Sequence, residues 1–234
     1  MEEHGKHRPL VRLWLAVAAL CLAPLPAAAC RLALLLALDV SSSVDPAEDA
    51  LQRQGLARAL RSEAVREAMF ALPAEPVALA AFEWSGRDQQ AMLLTWRMIA
   101  TPADLEAAAA VIGDSRRRYT QFPTALGYAM GHAARVMERA PACLFHTIDV
   151  SGDGVNNDGF PPRLAYANFP YDGVLVNGLA IAGHDAGVET YYAEQVIRGP
   201  GAFVERADGF EDFERAMRRK LVRELGVRIV GEAR

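Results

Sequence analysis

The chain has 234 residues, enough for one large domain or two small ones, and its 52% hydrophobic and 23% charged content excludes a disordered protein. Its 25 Lys and Arg against 29 Asp and Glu leave a net charge of −4, which does not support a nucleic-acid binder. Three cysteines, Cys21, Cys30 and Cys143, are too few for a disulfide scaffold and lack the spacing of a zinc site.

Residues 1–29 read as a secretory signal peptide. A polar segment with Lys6, Arg8 and Arg12 precedes an apolar run over 13–23, which ends in Pro24-Leu25-Pro26-Ala27-Ala28-Ala29. The run is too short for a bilayer, which needs about 20 residues. The expected product is a periplasmic or secreted single domain over 30–234 with no transmembrane segment. Ala28-Ala29-Cys30 loosely resembles the end of a lipobox, although Ala27 stands where Leu is usual, so lipidation of Cys30 competes with its pairing.

Residues 32–38 form an unbroken apolar run ending at Asp39, as suits a strand buried on both faces. Asp45-Pro46-Ala47-Glu48 is a capping pattern that starts a helix to about Leu60, with a short second helix over 62–70. Strands are expected over 77–82 and, at an edge, over 91–95. Thr101-Pro102-Ala103-Asp104 repeats the cap before an alanine-rich helix to Ile112. Arg116, Arg117 and Arg118 read as a solvated loop. A helix is expected over 124–139, a strand over 144–150, a Pro/Tyr/Phe-rich connection, and a strand over 174–181. Helix over 189–197, strand over 202–205 and helix over 210–225 complete the chain. Strands alternating with helices imply an α/β, doubly wound fold with a mostly parallel sheet and helices on both faces.

In such sheets ligands bind beyond the carboxyl ends of the strands. Two expected strands end there in polar clusters, Asp39-Val40-Ser41-Ser42-Ser43 and Asp149-Val150-Ser151-Gly152-Asp153-Gly154. A carboxylate with hydroxyls two and four residues on places three oxygen donors on one turn, a set suited to a hard cation such as magnesium. Taken alone, the first cluster could be a strand-to-helix cap and Asp153 a turn residue. Asp149 reads as a mid-strand acid satisfied by neighbouring hydroxyls or backbone, and Asn156, Asn157 and Asp158 as turn residues near the rim.

Asp39-x-Ser41-x-Ser43 after an apolar strand, a Thr opening a later helix and a later strand ending in Asp153-Gly154 resemble the von Willebrand factor A domain over about residues 32–225. More narrowly, Glu83-Trp84-Ser85-Gly86, the segment from Thr147 to Gly154, and Gly199-Pro200-Gly201-Ala202-Phe203 are similar to a bacterial secreted subgroup of unassigned function. The resemblance implies a metal-ion-dependent adhesion site with Asp39, Ser41, Ser43, Thr124 and Asp153 as ligands, directly or through water. Phe122-Pro123 replaces the family's usual glycines, which leaves Thr120 as the rival of Thr124; Thr124 is favoured because it directly precedes the helical pattern. The A-domain strand order also makes the strands after Cys30 and Cys143 parallel neighbours, implying a disulfide between them at the end of the sheet opposite the metal.

No His-Glu-x-x-His pair, Gly-x-Ser-x-Gly elbow, Walker loop or dinucleotide glycine pattern occurs in the chain. A lone Glu83 does not make a catalytic constellation. The favoured function is therefore a metal-dependent binding module whose cation, magnesium first and manganese or calcium as alternatives, is completed by a protein partner's carboxylate. The alternative is a metal-assisted hydrolase using the same oxygen cluster.

Overall fold

The computed structural model describes residue 1, residues 30–183 and residues 185–226; the expected signal peptide falls outside the described residues. Strand β1 (Cys30–Asp39) is buried along its whole length. Successive side chains of a strand point to opposite faces. Accordingly, Leu32, Leu34, Leu36 and Leu38 enter one core, while Ala33, Leu35 and Ala37 enter another. This two-sided burial is why the run is continuously apolar rather than alternating.

The other strands are β2 (Val77–Trp84), β3 (Gln90–Ile99), β4 (Cys143–Gly152), β5 (Val174–Ile181) and β6 (Val204–Ala207). They form one sheet of order β3-β2-β1-β4-β5-β6, with β3 an antiparallel edge and every other pairing parallel. Helices α1 (Pro46–Arg61), α2 (Glu63–Met69), α3 (Pro102–Gly113) and α7 (Phe213–Leu225) supply the first core. Helices α4 (Leu126–Met137), α5 (Pro162–Asn168) and α6 (Val188–Tyr191), with the π-helical turn Tyr192–Val196 that continues α6, supply the second. The expected doubly wound α/β architecture is present.

Both expected capping boxes form. Asp45 accepts from the Glu48 N–H while the Glu48 side chain accepts from the Asp45 N–H, and Thr101 and Asp104 do the same at α3. Other expectations shift. Helix α4 starts at Leu126 rather than Thr124, which frees the threonine from the helix. The last strand is Val204–Ala207 instead of 202–205, set by pairing with Gly178–Ile181. Helix α5 lies in what reads as an irregular connection, with Pro162 at its first position. The final helix is preceded by a separate 3-10 turn, Phe210–Asp212.

Cys30 and Cys143 are register partners on β1 and β4 and are joined by a disulfide. The Cys30 sulfur is thus taken by Cys143, which leaves no thiol for the lipidated alternative. Among the described residues no helix is long and apolar enough to cross a membrane.

Candidate metal centre

Strand order reverses at β1, which pairs with β2 on one side and β4 on the other. The turns leaving β1 and β4 therefore meet above the carboxyl end of the sheet, where open α/β sheets bind ligands. All five expected ligands converge there. The Thr124 hydroxyl donates to Ser41 Oγ at 3.1 Å, Ser41 Oγ lies 3.1 Å from Ser43 Oγ, and the Ser43 hydroxyl donates to Asp153 Oδ1 at 2.8 Å. Asp39 Oδ1 accepts the Ser41 backbone N–H at 2.7 Å, folding the turn back on its first acid. Asp39, Ser41, Thr124 and Asp153 are buried and Ser43 is exposed, so the cluster opens on one side. Thr120, the rival of Thr124, is exposed, whereas Thr124 is buried within this chain of hydroxyls.

The electrostatics favour a cation. Burial first, and then the charge of Asp153, push the Asp39 carboxyl up to about 8. Asp39 Oδ2 is buried and has no hydrogen-bond partner among the described residues. Two carboxylates and three hydroxyls make an all-oxygen donor set, the kind that hard divalent ions take. Among the described residues no group of three or more His, Cys, Asp or Glu could hold a metal. A cation here would thus depend on the hydroxyls as much as on the acids.

Residues outside the expected set hold the centre in shape. Arg117 donates from Nη1 to the Val44 carbonyl at 2.6 Å, from Nη2 to those of Val40 and Ser41 at 2.6 and 2.9 Å, and from Nε to that of Tyr119 at 2.7 Å. The expectation of a merely solvated arginine loop is therefore wrong for Arg117, which clamps the turn that follows β1. That loop is itself anchored: buried Glu83 accepts the Arg118 backbone N–H at 2.7 Å and pairs with Arg53 at 2.5 Å. Gln52, from α1, donates to the Asp39 carbonyl at 2.9 Å. Spacing carries little sign of these contacts, because most of the partners, such as the Val40, Ser41 and Val44 carbonyls held by Arg117, are backbone groups distant in sequence.

The Thr124 loop is tied on both sides. The Ser42 N–H donates to the Phe122 carbonyl at 2.8 Å. Asn157 Oδ1 accepts the Thr124 N–H at 2.8 Å, and Asn156 Oδ1 accepts the Gly127 N–H at 3.1 Å, capping α4 in place of its own Ala125. Asn156 and Asn157 are more than turn residues. Just before Phe122-Pro123, which stand where the A-domain pattern has glycines, Gln121 takes the left-handed conformation with φ of 62°, and Phe122 is exposed.

Asp149 does not join the site, as expected, but its partner differs from the expected hydroxyls or backbone. It faces α7, where Lys220 Nζ lies 2.9 Å from Asp149 Oδ1 and 2.6 Å from Glu224 Oε1, all three side chains being buried. Asn177 donates to the same Glu224 oxygen at 2.7 Å.

A family model described as "Protein of unknown function (DUF1194)" matches residues 29–229. No curated protein matches the chain. Among solved structures it is similar to proximal thread matrix protein 1 from the mussel byssus, with TM-score 0.64 and 16% identity over 84% of this chain and 48% of that one. A second structure of that protein, described as having a zinc-occupied MIDAS motif, gives TM-score 0.53 at the same identity and coverage. A von Willebrand factor type A protein from Catenulispora acidiphila gives TM-score 0.59 and 14% identity over 85% of this chain and 43% of that one. The chain thus spans about half the length of these structures or less. Likeness at such identities shows the fold, which is that of von Willebrand A-type domains.

Proposed function

This chain belongs to the DUF1194 family, and we propose that it is an exported binding module whose divalent cation takes the last part of its coordination from a partner's carboxylate. Asp39, Ser41, Ser43, Thr124 and Asp153 would hold the ion. The observation that carries this is the unbroken hydroxyl chain from Thr124 through Ser41 and Ser43 to Asp153, closed against a buried Asp39 whose Oδ2 lacks a hydrogen-bond partner among the described residues. The all-oxygen set favours magnesium, with manganese or calcium as substitutes. The zinc in the MIDAS motif of a structural neighbour supports a divalent ion in this fold. Exposed Phe122 at the rim offers the partner an apolar contact beside the charged one. Export is supported by the basic, apolar and small-residue order of residues 1–29 and by the disulfide, which persists in oxidising compartments.

Calorimetry and thermal melting with EDTA, magnesium and manganese test the reading. The ion should stabilise the fold by about 2.7 kcal/mol at a hundredfold excess over Kd. Asp39→Ala should lose that response while keeping the fold. A wild type that ignores every divalent ion would falsify the cation site, and EDTA-sensitive turnover of phosphoesters, esters or peptides would move the reading to a hydrolase. Pull-down from periplasmic extract with and without EDTA then identifies the partner.

A further inference from the structure

Two glycines on neighbouring strands clear a path for one aromatic ring. Gly178 lies in β5 and Gly152 ends β4. A Cβ at Gly178 would stand 2.7 Å from Tyr192 Cδ1, and one at Gly152 would stand 2.5 Å from the Tyr192 hydroxyl. Glycine weakens a strand interior and marks close approach by another group. Here both glycines serve the same side chain, which is fully buried and opens the π-helical turn Tyr192–Val196. Single π turns recur at functional sites.

The hydroxyl at the end of this path reaches the metal centre. Asp39 Oδ2 lies 2.8 Å from the same Cβ position at Gly152, so the phenol and carboxylate oxygens are at most 5.3 Å apart. Both atoms are buried, and neither has a hydrogen-bond partner among the described residues. Buried tyrosine hydroxyls ordinarily find a partner. Any separation up to that bound is short enough for one water oxygen to lie within about 2.8 Å of both.

We propose that Tyr192 is a positioning residue of the cation site: through one water, its hydroxyl holds Asp39 Oδ2 in the orientation that the ion requires. This rests on the reading of the centre as a cation site. A phenol can donate a proton in such a contact and has no charge to compete for the ion. Loss of an outer hydrogen-bond partner of a metal ligand typically weakens binding by about 10–100-fold.

The experiment is calorimetry of the full chain with manganese for wild type, Tyr192→Phe, Gly152→Ala and Asp39→Ala. Tyr192→Phe keeps the ring, so its affinity should fall by about 10–100-fold while the metal-free melting temperature stays level or rises. Gly152→Ala crowds the same hydroxyl and should weaken binding in the same direction. Manganese should also perturb the wild-type tyrosine absorption in the near ultraviolet, and Tyr192→Phe should lose that signal. Wild-type affinity in Tyr192→Phe overturns the proposal, as does a wild-type spectrum that manganese leaves unchanged. A lowered metal-free melting temperature with unchanged affinity marks a packing role and overturns it too. If wild type itself ignores manganese as Asp39→Ala does, the cation reading has failed and the tyrosine's role falls with it.

Discussion

Buried carboxylates are costly to ionise without a partner, and the sheet handles two of them in opposite ways. Asp39 faces a second acid and hydroxyls, and its Oδ2 has no hydrogen-bond partner among the described residues. Asp149, one strand away on the other face, has Lys220 built in, with Glu224 sharing the same ammonium. Two acids around one cation leave one negative charge in excess, and burial followed by the Glu224 charge pushes Asp149 up to about 8. A carboxyl raised in the fold holds its proton there after the unfolded chain has released it. Its contribution is therefore complete below the ordinary value of 3.8 and is lost as pH rises toward about 8. Lys220→Met should remove the ammonium that Asp149 and Glu224 share and cost about 3–5 kcal/mol near pH 8, because breaking a buried pair strands the remaining charges. The loss should shrink toward pH 5, where Asp149 takes up its proton. Urea unfolding of wild type and variant at several pH values reads this directly; a pH-independent difference would count against the cluster.

Elements differ in how far local sequence determines them. Strand β1 is plain from its apolar run, and α1 and α3 from Asp45-Pro46 and Thr101-Pro102, because burial on two faces and capping act within a few residues. The acid and serines of the turn after β1 stand within five residues, so their oxygen cluster is visible in the local pattern. The parts that hold the turn are not: Arg117 acts on carbonyls of a loop more than 70 positions away in sequence, and Asn156 caps a helix some 30 residues earlier. Nothing in the local pattern announces such partners. Helix α5 was hidden by its prolines, which suit a first turn as well as a loop. Its placement against α4 depends on Gly127, where a Cβ would sit 1.9 Å from the Phe160 carbonyl oxygen. Gly127→Ala should therefore push the segment carrying Asn156 and Asn157 off α4, cost about 1–3 kcal/mol as overpacking does, and weaken metal binding by loosening Thr124. Melting and calorimetry on this one variant check both effects. A fully stable Gly127→Ala with wild-type affinity would mean that the contact relaxes without moving the loop.

Across the whole molecule, β1 carries a covalent tie at one end and the candidate cation at the other. Cys30 bonds Cys143 where the strand enters the sheet, and Asp39 meets Asp153 where it leaves, about 30 Å away at ~3.3 Å per residue. The disulfide closes a loop with a sequence separation of 113 and joins strands already paired in register. Its main action in the chain-entropy model is on the unfolded state, and losing a native bridge typically costs about 2–5 kcal/mol. The native sheet at the far end should be unaffected, because β1 and β4 stay paired from Leu32 to Ser151 by backbone hydrogen bonds and two apolar cores. Effects at sites this far apart, with no shared partner, usually add. Urea unfolding with and without reductant, each with EDTA or manganese, should therefore give two independent increments. Reduction should lower stability by about 2–5 kcal/mol in both conditions, and the manganese increment should be the same in the oxidised and reduced protein. A manganese affinity that collapses on reduction would show instead that the disulfide holds the two strand ends in the register on which Asp39 and Asp153 depend.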